Sequence, residues 1–157
     1  MADYKPKMFF GTAQQVFDLA SDIASGNFSS VGTTFDNTTD ASVPYATHAV
    51  AMLEAPDWAA APVAGTTVDL YGLMIDTDGT DDDTDAPSGT AVGGARWLGS
   101  WTMAAADALQ RREIVISLVG VRKFAPYIRN STAQIMNNDG GTNMVVKITP
   151  FVVGVTV

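Results

Sequence analysis

A chain of 157 residues without a single cysteine is the size of one domain, and it excludes disulfide frameworks, thiolate catalysis and cysteine-ligated zinc. Its net charge of −8, from 17 acids and 9 bases with no clustered basic stripe, argues against nucleic acid as a partner, since phosphate binding needs such a stripe. Charged residues are 17% of the chain, against roughly 25% in an ordinary soluble domain. That shortfall points to a surface that partly faces protein, a mildly apolar monomer being the other reading.

In chain order, the first apolar feature is the short patch Met8-Phe9-Phe10 behind Lys5, Pro6 and Lys7. It falls short of the roughly 7–15 apolar residues of a secretion signal core. No apolar run approaches the roughly 20 residues that span a bilayer. The expectation is a soluble chain, unexported by any signal, with no membrane partner. Thr12 to Ser25 places Val16, Leu19, Ala20 and Ile23 at helical spacing. Residues 1–25 are therefore expected as an N-terminal arm or short helix, and residues 26–157 as a β-sandwich domain.

Gly26 to Asp40 is rich in turn residues, and Val43 to Leu53 reads as a strand. Thr66 to Ile75 carries the clearest pattern, with Val68, Leu70 and Met74 on one face and Tyr71, Leu73 and Ile75 on the other. Met103 to Arg112, rich in alanine, reads as a second short helix, although helices this short are marginal in water. Glu113 to Phe124 aligns Ile114, Ile116 and Leu118, and Ala125 to Asn130 continues as strand. Residues 143–157 are rich in valine, and Pro150 either breaks that run or marks an edge position, because it cannot donate to a ladder. Several strands separated by turn-rich segments predict an all-β fold, an antiparallel β-sandwich of jelly-roll-like type with an extended N-terminal arm and at most one or two short helices.

Charge is uneven along the chain. Residues 1–95 hold 14 acids and two bases, giving −12, while residues 96–157 hold three acids and seven bases, giving +4. The two signs can pair within the fold or between neighbouring subunits. Six of the acids fall between Asp76 and Asp85. Asp76, Asp78, Asp81 and Asp83 form the candidate metal set, for Ca²⁺ as a cofactor, since that ion takes six to eight oxygens. The spacing is not that of an EF-hand: Asp81 stands where the glycine belongs and Pro87 where the bidentate glutamate belongs. The competing reading is a solvated loop with Asp and Gly supplying turn geometry.

His48 is the only histidine, and a lone imidazole in a strand pattern reads as a half-buried structural residue. No G-x-S-x-G elbow surrounds Ser100, Ser117 or Ser131, and Gly89 to Arg96 lacks the Gly-Lys-Ser/Thr of a Walker loop. Glu54 and Glu113, the only glutamates, offer thin support for a glycosidase pair. No catalytic residue is assigned. Trp58, Trp97, Trp101, Tyr45 and Tyr71 are candidates for a glycan-stacking platform, against the commoner fate of large aromatics in a core.

The order Thr67-Val-Asp-Leu-Tyr71, a loop holding Asp78-Gly79-Thr80, then Leu98-Gly-Ser-Trp101, then Phe124-Ala-Pro-Tyr-Ile-Arg-Asn130 resembles a group of small tailed-bacteriophage virion proteins of the capsid decoration, or cement, type. The resemblance covers roughly residues 66–150 and departs from the pattern where Asp81-Asp82-Asp83 replaces the usual tyrosine-bearing segment. It implies a β-sandwich without catalysis that binds outside the assembled shell and bridges capsomers. The implied partners are the major capsid protein and copies of the chain itself, as a homotrimer. The implied location is the outer surface of the capsid, after synthesis in the host cytoplasm. An arm of Lys5, Lys7, Met8, Phe9 and Phe10 laid onto a neighbour is the expected interface. A tail-associated or host-glycan-binding module is the alternative.

Overall fold

A computed structural model of the chain describes residues 5–75, 85–137 and 142–156. In chain order its strands are β1 (Lys5–Phe10), β2 (Gln14–Leu19), β3 (Phe35–Asp36), β4 (His48–Ala55), β5 (Asp57–Trp58), β6 (Thr67–Ile75), β7 (Arg96–Thr102), β8 (Gln110–Ser117), β9 (Lys123–Ser131), β10 (Met136–Asn137) and β11 (Met144–Thr156). Two antiparallel sheets pack as a sandwich. The first runs β1-β11-β4-β8, with β2 beside β1 on the same edge of β11. The second runs β3-β9-β6-β7, and β5 and β10 form a small ribbon.

The described residues contain no helix, so both expected helices are corrected. Thr12 to Ser25 contributes β2, which pairs with β11 across an irregularity at Val146 and Lys147. There Phe17 faces Val146 and Gln15 faces Lys147, leaving Val16 as the extra residue of a bulge. Val16 and Phe17 are consequently both buried although adjacent, which breaks the alternation of a strand and imitates a helical stripe. In the second stretch, Met103 to Leu109 is turn wrapped around one amide. Gln110 donates to the carbonyls of Ala104 and Ala106 and accepts from the Ala104 N–H. From Gln110 onward the chain is β8. The long strand pattern after Glu113 divides at Leu118 to Arg122, where Gly120 takes a φ of 75° and the chain turns from β8 into β9.

Pro150 neither ends the valine-rich run nor lies on an edge. β11 passes through it between β4 on one side and β1 with β2 on the other. It occupies the gap between those two partners, where no donor is required, and its carbonyl accepts from Gly11 N–H at 2.8 Å.

The core follows from alternation. In β4, Ala49, Ala51, Leu53 and Ala55 point inward, towards Val68 and Leu70 of β6, Phe124 and Ile128 of β9, and Trp101 of β7. The small alanines leave room for the fully buried indole of Trp101, whose Nε1–H donates to Ala51 O at 3.0 Å across the sandwich. The outer face of the second sheet is also covered. Phe28, Leu73, Ala95, Ala125 and Tyr127 form a second apolar cluster there, with Phe28 set edge-on to Tyr71 at 5.1 Å.

A candidate protein interface on the outer face of the first sheet

Among the described residues, the outer face of the first sheet has no such cover. In β4 the outward residues are His48, Val50, Met52 and Glu54, each half-buried and alternating with the buried Ala49, Ala51, Leu53 and Ala55. Register places Val50 between Val115 of β8 and Thr149 of β11, and His48 between Ser117 and Phe151. Across β11, Phe151 faces Phe10 and Val153 faces Met8 of β1. The rings of Phe10 and Phe151 lie 5.4 Å apart, and His48 stacks on Phe151 at 5.5 Å and 22°. Exposure is high for large apolar residues: Val115 63%, Val153 58%, Met8 53% and Phe10 53%.

These residues make one apolar strip across four strands. Its charged groups collect at one end, where Arg111 pairs with Glu54 at 2.9 Å, and Lys147 and Glu113 flank Met52. An apolar centre with a charged rim is the anatomy of a protein–protein contact surface, and a contiguous exposed patch of this kind is uncommon on a monomer.

The five expected interface residues, Lys5, Lys7, Met8, Phe9 and Phe10, all lie on β1, which is hydrogen-bonded along its length to β11. They divide between two faces. Met8 and Phe10 join the outer strip, while Lys7 and Phe9 face the other way, with Lys7 Nζ 5.3 Å from the Phe9 ring centre. Beyond Phe151, β11 pairs only with β1 among the described residues, so Val152–Thr156 and β1 project as a two-stranded ribbon past the end of β4.

Sequence reasoning missed Val50, Met52, Val115 and Val153. The available signal was the apolar residue at both parities in Ile114-Val115-Ile116 and Val152-Val153. A strand apolar on both faces either lies between two layers or carries a contact surface.

The candidate metal residues Asp76, Asp78, Asp81 and Asp83 lie outside the described residues. Among the described residues no group of three or more His, Cys, Asp or Glu could hold a metal. The five aromatics proposed as a platform do not come together. Trp58 and Trp101 are core residues, Tyr45 is exposed elsewhere, and only Tyr71 and Trp97 oppose each other, on β6 and β7. Trp97 is 61% exposed, and its Nε1–H donates to Ser100 Oγ at 3.0 Å. Ser100 and Ser131 in turn both donate to the Asp69 carboxylate. Comparison of the chain with family models, with curated proteins and with solved structures finds no match.

Proposed function

We propose that this chain is a non-enzymatic structural protein of a tailed-phage virion, a decoration or cement protein. It binds the outside of the assembled head through the outer face of its first sheet and stabilises the shell by bridging capsomers. The observation that carries the reading is the uncovered apolar strip Met8, Phe10, Val153, Val50 and Val115 with its Arg111, Glu54, Glu113 and Lys147 rim. Burying such a strip supplies roughly 25 cal/mol per Å² of apolar surface removed from water. The virion setting comes from the resemblance over residues 66–150, and the low charge content agrees with a chain that spends its surface on protein contacts.

The test is binding of the purified chain to emptied, undecorated phage shells, read by imaging and by the temperature at which shells burst. Saturable binding on a regular lattice with a raised bursting temperature is the expected result. A chain that leaves shells bare but is found on tails would overturn it.

One observation favours a second reading, a glycan-binding module: the exposed Trp97 ring, held by its N–H beside Ser100 and Asp69. A stacked pyranose would lie on that ring and hydrogen-bond the neighbouring oxygens. Retention on host glycans that is lost in Trp97→Ala would favour this module over the decoration protein.

A further inference from the structure

We infer that two copies of the chain join edge to edge through Val152–Thr156 of β11, about a twofold axis at Gly154. Gly11 N–H donates to Pro150 O, so the Pro150 carbonyl points towards β1. Strand geometry alternates the direction of the backbone groups. Residues 152, 154 and 156 therefore turn their backbone groups to β1, and Val153 and Val155 turn theirs away from it. On that far side β4 reaches only as far as His48, opposite Phe151. Among the described residues nothing pairs with Val153 or Val155 on that far side; their register partners, Met8 and Pro6, lie on β1.

The two edges of the ribbon differ in chemistry. On β1 the outward-turned positions are 6, 8 and 10, and position 6 is a proline, which has no N–H to offer. Lys5 and Lys7 flank it. Proline and lysine are the usual means of closing a sheet edge to other chains. The β11 edge, Val-Val-Gly-Val-Thr, has neither. One edge is blocked and one is open, which selects a closed pair over a growing fibre.

Charge and sequence symmetry make the occupant a second copy. Residues 151–156 carry no charge in a chain of −8, so two copies approach here without bringing like charges together. β1, which carries Lys5 and Lys7, lies on the far edge of each ribbon, away from the axis. Antiparallel pairing about Gly154 sets Val153 of one copy opposite Val155 of the other on both sides of the axis, each pair exchanging reciprocal N–H to O=C bonds. Gly154 falls at the close-spaced position between them, where a side chain would add bulk at the crossing. The product is a four-stranded sheet in place of an isolated ribbon, which is marginal in water alone. A five-residue edge buries less than the roughly 1,200–2,000 Å² of a standard stable interface, so the pair has a Kd on the order of micromolar or weaker.

The pairing stands apart from the capsid reading, because shell binding can fail with the dimer intact. The test is sedimentation of the full chain from micromolar to millimolar concentration, with hydrogen exchange resolved at the Val153 and Val155 amides. The expected result is a doubling of mass with protection of both amides growing in parallel. Val153→Pro removes the outward N–H and abolishes the doubling, while Val153→Thr keeps both. The hydrogen exchange of the unaltered chain decides the matter even if Val153→Pro fails to fold. A monomer at all concentrations, a trimer, or protection of these amides only on adding shells would overturn the inference.

Discussion

Asn130 has no exposed surface, and its side chain is bonded at every site. Its Nδ2 donates to Ile23 O and Gln134 O, and its Oδ1 accepts from the N–H and hydroxyl of Thr132. Asn130→Ala removes four interior hydrogen bonds and leaves the Thr132 N–H without its acceptor, while Ile23 O keeps the Met136 N–H and Gln134 O the Thr132 hydroxyl, so chemical denaturation is expected to read a loss of about 1–3 kcal/mol. Asp36 is the second residue with a measurable signature. Burial alone would raise its pKa, but hydrogen bonds from Thr38 and Lys123 outweigh it and hold the carboxyl below its ordinary range. Because the folded value is depressed, the ionised group stabilises the fold at pH above its unfolded value of roughly 4, and that contribution is lost as pH falls through the lowered folded value. Asp36→Asn should destabilise by about 1 kcal/mol or less at neutral pH, and the gap should close in urea melts under strongly acid conditions. Residue chemistry was only partly legible in advance. The pattern of Ala125 to Asn130 ends a strand at Asn130, and nothing in the sequence marks that residue as the centre of a network joining Ile23 to Gln134.

Among the elements, β4 is the easiest to read and β2 the hardest, for one physical reason. Strict alternation in β4 gives inward Ala49, Ala51 and Leu53 between outward His48, Val50 and Met52. In β2 the bulge at Val16 spoils the alternation, and pairing with β11 outweighs a helical spacing too short to hold a helix in water. β7 has a similar irregularity. Leu70 faces Gly99 and Tyr71 faces Trp97, so Leu98 is extra and turns towards the core while Trp97 turns out. The candidate interface is a property of elements, since it exists only where β1, β11, β4 and β8 lie side by side. Val115→Glu places a charge in the middle of its exposed strip. The expected outcome is a loss of less than about 1 kcal/mol in stability, with shell binding weakened by at least about tenfold. Unchanged shell binding by this variant in a titration would remove the face from the reading.

For the whole molecule, the pairings are long-range. β1 and β2 pair with β11, at the opposite end of the chain, and β4 skips to β8 and β11. Long loops close before any sheet is complete, which places refolding in the range of milliseconds to seconds. Stopped-flow dilution from urea, followed by tryptophan fluorescence, should show this because Trp101 becomes buried only when both sheets meet. A dominant microsecond phase would contradict it. The charge asymmetry also resolves at this scale only in part: Arg111 meets Glu54 and Lys123 meets Asp36, each joining the basic C-terminal part to the acidic N-terminal part within one fold.

By itself the sequence determined the class of the fold. Alternating β-branched and aromatic runs, punctuated by Gly, Asn and Asp, have a low-energy solution in antiparallel sheets packed face to face, and that local preference is written residue by residue. It also located the apolar patch Met8 to Phe10. Only the tertiary structure decided where that patch goes. Hydrogen bonding to β11 makes it a strand, and the pleat then sends Met8 and Phe10 to one side and Phe9 to the other. Which sheet face is covered was likewise undecided by pattern. Alternation reports that a strand has two faces, but whether a loop such as that carrying Phe28 lies over one of them depends on how distant segments meet.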